Sequence, residues 1–218
     1  DMTTDVTVNP NPVLTITNLA TEICSGELTD ITLTTPTDNE VITVTDVNYG
    51  LVTGGSVSVS DVYSDGGEVD ELLENPTDNA ITISYEFTIT TTDGCPTAPT
   101  PQTVFVTVAP RPTMSISNST ATDICSGEAT AITLNSTVTD ASIVLEGVSN
   151  TAGVTGVTSA GVTFEDGDVI ADNLVNTTNS PITITYAFSV NVDGCDDGVA
   201  DMTTDVTVNP NPVLTITN

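Results

Sequence analysis

The chain has no histidine, no tryptophan and a single basic residue, Arg111, among its 218 residues. Without histidine or lysine, the Ser-His-Asp, Cys-His and lysine-based nucleophile systems are all missing. Carboxylate pairs of the glycosidase kind remain available, but such sites usually add aromatic platforms, and aromatics make up only 4% here. The chain is therefore expected not to be an enzyme and to require no cofactor. One basic residue against 30 acidic ones leaves a formal net charge of −29. That charge repels phosphate backbones, which excludes nucleic acid as a partner, and it disfavours anionic membrane surfaces. No apolar run approaches the roughly 20 residues of a membrane span, so this segment is not expected to insert into a bilayer. Helix formers are scarce, and the missing lysine also rules out Lys–Asn isopeptide cross-links.

Thr, Val and Ile dominate what remains, and β-branched residues favour pleated, half-buried strands. An all-β chain is expected. Its organisation is set by a repeat. Residues 1–18, DMTTDVTVNPNPVLTITN, recur letter for letter at 201–218, and a diverged copy, PQTVFVTVAPRPTMSISN, occupies 101–118. The prolines keep the register: Pro10 and Pro12, Pro110 and Pro112, Pro210 and Pro212. A fixed period of this size indicates an array of domains. Residues 1–9 read as the last strand of a preceding repeat, 10–109 as one sandwich, 110–209 as a second, and 210–218 as the first strand of the next. Alternate prolines between two strands hold the backbone near polyproline geometry, so each joint is expected to be a short, semi-rigid spacer in a rod-like array.

Strands are expected at 13–18, 30–34, 41–45 and 56–60, with one helical turn near Leu72–Asn75. The strongest is AITISYEFTIT at 80–90, where Ile81, Ile83, Tyr85, Phe87 and Ile89 share one face against Thr, Ser and Glu on the other. The second half repeats the plan, with Ile182–Phe188 matching Ile81–Phe87. About seven short strands per unit with turn signals between them fit an antiparallel, immunoglobulin-like β-sandwich.

The four cysteines fall one near the start and one near the end of each half. Cys24 with Cys95, and Cys125 with Cys195, are the expected bridges, which points to an oxidising, extracellular setting. Each would close a loop of about 70 residues and contribute about 4 kcal/mol in the chain-entropy model. The acids are spread through both halves, which keeps a long polymer soluble. The densest groups, Asp61, Asp65, Glu68 and Asp70 in the first half and Glu165, Asp166 and Asp168 in the second, are candidate Ca²⁺ ligands around glycines. Solvated loop acids explain the same pattern equally well.

I-C-S-G at 23–26 and 124–127, the L-x-N before a strand, I-T-I-x-Y-x-F, the D-G-C turn and V-T-V-x-P-x-P recur as a set. Together they resemble the PKD-like, immunoglobulin-type repeats of giant cell-surface adhesins from Bacteroidota, including gliding-motility adhesins. The sequence departs from PKD domains proper in lacking the W-D-F-G-D-G signature. The resemblance implies secretion, anchoring at the cell surface elsewhere in a long polypeptide, and a role in adhesion or surface filaments, including fibres that grip other cells. The leading expectation is a structural one: a repeat unit of an extracellular filament or adhesin, partnered by copies of itself head to tail and along its edges, and meeting a cell-surface or glycan target. A ligand-binding module for glycan or protein and a surface-layer lattice protein are the competing readings.

Overall fold

A computed structural model of the chain describes residues 3–6, 8, 11–36, 39–91, 100–118, 122–196 and 202–212. The chain divides into two compact units, Asp1–Pro110 and Arg111–Asn218. Among the described residues both units are built of strands and turns, with no helix.

The first unit runs β1 (Thr15–Asn18), β2 (Glu22–Cys24), β3 (Glu27–Leu28), β4 (Ile31–Thr34), β5 (Glu40–Asn48), β6 (Val62–Tyr63), β7 (Gly67–Val69), β8 (Leu72–Leu73), β9 (Ile81–Thr91) and β10 (Gln102–Ala109). One sheet has the order β1-β4-β7 and the other β2-β10-β9-β5-β6, while β3 pairs with β8. Apolar residues of both sheets meet in one core: Ile31 and Leu33 from the first, Ile83, Tyr85, Phe87, Val106 and Val108 from the second. The two sheets and their crossed connections make an immunoglobulin-like sandwich. Strand β9 follows its sequence pattern, with Ile83, Tyr85, Phe87 and Ile89 buried and Thr82 and Thr90 exposed. The largest side chains stack inside: Tyr85 and Phe87 lie 6.4 Å apart, and Tyr49 meets Tyr85 edge-on at 5.9 Å.

The second unit repeats the plan with β11 (Met114–Asn118), β12 (Asp123–Cys125), β13 (Glu128–Ala129), β14 (Ile132–Ser136), β15 (Ser142–Ser149), β16 (Val154–Thr155), β17 (Thr163–Phe164), β18 (Val169–Ile170), β19 (Asn173–Asn176), β20 (Ile182–Val192), β21 (Cys195–Asp196) and β22 (Met202–Asn209). Its sheets are β11-β14-β18, β12-β22-β20-β15-β17 with β21 on β20, and β13-β19-β16. Gly54 and Gly156 show why glycine recurs at equivalent turns. Their φ angles are +91° and +88°, and a Cβ on Gly156 would sit 2.0 Å from the Asn173 carbonyl oxygen.

Several expectations need correction. The sandwich is not wholly antiparallel, because β2 runs parallel to β10 and β12 parallel to β22. The chain enters each unit in the small sheet and then crosses to the open edge of the large one, where it lies along the last strand. Residues 56–60 form no strand, because the Ser56 and Val57 amides donate to the Glu71 carboxylate instead of to a neighbouring strand. Leu72–Leu73 is a strand rather than a helical turn, tied by β3 on one side and extended by a Thr53–Glu74 bridge. Residues 3–6 and 8 form no strand, nor do 210–212, while 213–218 lie outside the described residues. The identical letters at Met202–Asn209 do form β22, held between β20 and β12. The same sequence thus buries Val206 completely but leaves Val6 83% exposed; the later copy has strands on both sides, and among the described residues of the first copy none is in a strand.

Candidate functional site

The most built polar constellation in each unit is a carboxylate inside the sandwich. Strand pairing brings the segment around Glu71 against the turn after β3. The Thr29 amide donates to the Glu71 carbonyl at 3.0 Å, and the Glu71 amide donates to Thr29 Oγ1 at 2.9 Å. This clasp turns the Glu71 side chain inward, where the residue is only 4% exposed. Its carboxylate accepts from Tyr85 Oη at 2.6 Å, Tyr49 Oη at 2.7 Å, the Val57 amide at 2.6 Å and the Ser56 amide. Burial alone would raise its pKa, but the hydrogen bonds from Tyr85, Ser56, Tyr49 and Val57 outweigh it and hold the carboxyl below the ordinary glutamate range. The same contacts, with burial as the larger cause, push the Tyr85 and Tyr49 phenols well above their usual value.

The second unit builds a smaller version. Asp172 is clasped by Thr130 in the same way and accepts from Tyr186 Oη at 2.7 Å, the Thr158 amide at 2.8 Å and Thr158 Oγ1 at 2.5 Å. The position matching Tyr49 is Asn150, so the shorter carboxylate is met by one phenol instead of two. Both carboxylates are saturated by donors of their own unit, which suits fixing a core and leaves no opening for a substrate.

A second constellation explains the recurring I-C-S-G and L-x-N pieces. Asn75 Nδ2 donates to the carbonyls of Val108 and Asn79, both at 2.8 Å, and its amide donates to Ser25 Oγ. Asn176 does the same with Val208, Ser180 and Ser126. The Glu27 and Glu128 carboxylates close the turns by accepting from the Cys24 and Cys125 amides. These motifs pin the last strand of a unit to its β-rich floor.

Four of the seven candidate cation ligands accept hydrogen bonds from backbone amides. Asp61 accepts from the Ser58 amide, Asp65 from the Thr35 amide, Asp166 from the Ser136 amide, and Asp168 from the Glu165 amide. Glu68 and Asp70 are exposed beside an open groove with Ile23, Leu28 and Leu72. A groove of ≈ 540 Å³ in the second unit has Asp140, Phe164, Glu165, Asp166 and Asp168 on its walls. Among the described residues no three acidic, cysteine or histidine side chains converge to hold a metal ion. If calcium stabilises the units, a chelator in excess is expected to lower the melting temperature by several degrees; an unchanged melting curve would leave the acids as solubilising charge.

The linker residues Pro12, Pro110, Pro112, Pro210 and Pro212 all lie outside strands, and Pro10 lies outside the described residues. So does Cys95, and with it the expected Cys24–Cys95 pair. Cys24 and Cys195 are disulfide-bonded, whereas Cys125 is an exposed free thiol. The expected Cys125–Cys195 bridge is therefore not made. The reason is distance along the sheet: β12 places Cys125 beside Asn209, at the Ile182 end of β20, while β21 places Cys195 opposite Val192 at the other end.

Residues 122–212 match the family model described as a PKD-like domain. Comparison with curated proteins returns no match. Among solved structures, the chain is similar to the immunoglobulin domains 1–5 of Sidekick-1, with 11% identity and a TM-score of 0.42, over 92% of this chain and 39% of that one. It is similar to extracellular domains 3–5 of Drosophila OTK, with 7% identity and a TM-score of 0.41, over 92% and 62%. A protein of unknown function from Porphyromonas gingivalis W83 aligns at 11% identity and a TM-score of 0.33, over 90% and 99%. No helix among the described residues is long and apolar enough to cross a membrane.

Proposed function

We propose that the chain is a repeat segment of a long secreted or cell-surface filament or adhesin, in which immunoglobulin-like sandwiches follow one another as a shaft. One observation carries the reading. The strand that closes the second unit, β22, stands a second time, letter for letter, at residues 1–9, with Val6 and Val8 exposed for want of a partner. A sequence written this way completes a sandwich when a further copy is joined to it. The prolines that follow each copy serve as short spacers between successive sandwiches. The polar inventory supports a structural role: the two buried carboxylates serve their own cores, and the surface acids keep like-charged shafts apart in solution. A disulfide and the PKD-like match of the second unit favour an extracellular location.

Negative-stain electron microscopy of the native protein sheared from cells tests this. Fibres are the expected result. Discrete monomers with a saturable ligand would replace the reading with a binding module, and flat two-dimensional arrays with a surface lattice.

A further inference from the structure

We propose that the groove beside Leu28 and Leu72 in the first unit docks an extended, basic segment of a partner protein. A lysine or arginine of that segment meets the Asp30–Asp70 pair, and an apolar side chain rests on the two leucines. The inference goes beyond the shaft reading and does not depend on it, since the groove lies wholly within one unit. It begins from the clasp between Thr29 and Glu71. Side chains alternate across a strand, so the register that turns Thr29 and Glu71 into the core turns their neighbours out. Those neighbours are Leu28 and Asp30 on one side and Asp70 and Leu72 on the other, all exposed. Leu28 pairs with Leu72, and the same register continues at Ile31 with Val69, which puts Asp30 opposite Asp70. Side chains directly opposed in this way have their Cβ atoms about 5 Å apart.

Two features of this surface do nothing for the unit that carries it. Leu28 and Leu72 stand side by side, 55% and 52% exposed, in a chain whose surface is otherwise strongly acidic. Like charges directly across a ladder repel, and the first unit has no lysine, arginine or histidine to set against Asp30 and Asp70. Glu22, Glu27 and Glu68 add to the same walls, around a groove of ≈ 730 Å³.

The fold does not demand this chemistry. The second unit makes the same clasp with Thr130 and Asp172, in the same register, and there the opposed pair is Ala131 and Ala171. Ala129 and Asn173 stand where the first unit has its two leucines, and Val169 stands in place of Glu68. Of the five acids only two have counterparts, Asp123 and Glu128. The acids and leucines are thus laid over a shared frame in one unit alone.

The groove's chemistry selects its occupant. Acids around exposed leucines complement positive charge and an apolar side chain presented together. A second copy of this chain does not fit, having one basic residue in 218. An anionic membrane is repelled. A lone metal ion would leave the leucines in water, and among the described residues no three acids converge to hold one. An extended peptide fits the spacing: the leucine pair and the aspartate pair lie two residues apart along the ladder, roughly 7 Å, which matches alternate side chains of a strand.

Fluorescence anisotropy of a labelled synthetic peptide tests this, with lysine and leucine taking turns on one face of the extended peptide and serine on the other. It is titrated with the 218-residue protein at about 0.15 M salt, where the diffuse pull of the acidic surface is screened over about 8 Å. Saturable binding at one site is expected. Asp30→Ala with Asp70→Ala should weaken it about tenfold, and so should Leu28→Ala with Leu72→Asn. Both pairs install the residues that the second unit carries at the matching positions, so the frame accommodates them. A second measurement leaves the protein untouched: a peptide with serine in place of leucine should bind the parent chain about tenfold more weakly. No binding of the first peptide would overturn the proposal. So would equal affinity of the leucine-free peptide, or of both paired variants, which would leave only diffuse charge attraction. The titration is read on single chains, so its outcome is separate from whether fibres form.

Discussion

Val206→Asp is expected to unfold the second unit, while Val6→Asp, the same change in an identical stretch of sequence, is expected to be almost silent in this chain. Val206 is fully buried, in β22 opposite Ile184. A carboxylate placed there has no cation to meet, since the only basic residue in the chain is the exposed Arg111. Burying an unpaired charge costs several kcal/mol, a large share of the roughly 5–15 kcal/mol that holds a domain together. At about 4–8 °C per kcal/mol for a domain of this size, the second unit should lose 20 °C or more of melting temperature or fail to fold. Val6 is 83% exposed, so the substitution there should stay within about 0.5 kcal/mol. Differential scanning calorimetry separates the two. Joined behind a preceding copy, Val6→Asp should become as costly as Val206→Asp; equal small effects in every setting would contradict the assignment of β22.

Glu71→Ala should cost the first unit about 3–5 kcal/mol, because a buried acceptor is removed and its donors remain. The Tyr85 and Tyr49 hydroxyls and the Val57 and Ser56 amides would all lose their partner at once. The corresponding fall in melting temperature is roughly 15–30 °C. Asp172→Ala should cost less, since one tyrosine and Thr158 supply the donors there. Glu71 also fixes a pH dependence. Its pKa is lowered in the folded unit, so its stabilisation is complete above the unfolded value of about 4.3 and is lost as pH falls through the folded value. The first unit should therefore melt at a constant temperature from about pH 6 to 9 and lose stability in acid, and Glu71→Gln should flatten part of that acid slope. A variant whose acid slope matches the parent would remove Glu71 from this role.

Strand β9 was legible from its letters because a half-buried strand must alternate, and Ile83, Tyr85, Phe87 and Ile89 do. The repeat register likewise exposed both units. Ser56–Ser60 alternates as well and misleads, since alternation says nothing about which acceptor takes the amides, and here Glu71 takes two of them. Glu71 itself was hidden among 30 acids. A signal was available in the repeat: Glu71 and Asp172, Thr29 and Thr130, Tyr85 and Tyr186 keep the same offset while the acids around them drift. The Cys125–Cys195 pairing fails for a different reason. Spacing in sequence brings Cys125 and Cys195 into one unit, but only strand register shows that they stand at its opposite ends.

The axial period of native fibres tests the shaft most directly. Neighbouring units have diverged, whereas residues 1–18 and 201–218 are identical, so the repeat along a fibre should be two units. An 11-residue strand spans about 36 Å, which puts that period on the order of 80 Å once the turns are included. Averaged electron micrographs of fibres should show it. Fibres with no axial repeat near that length, or native preparations that hold only separate particles, would contradict the account.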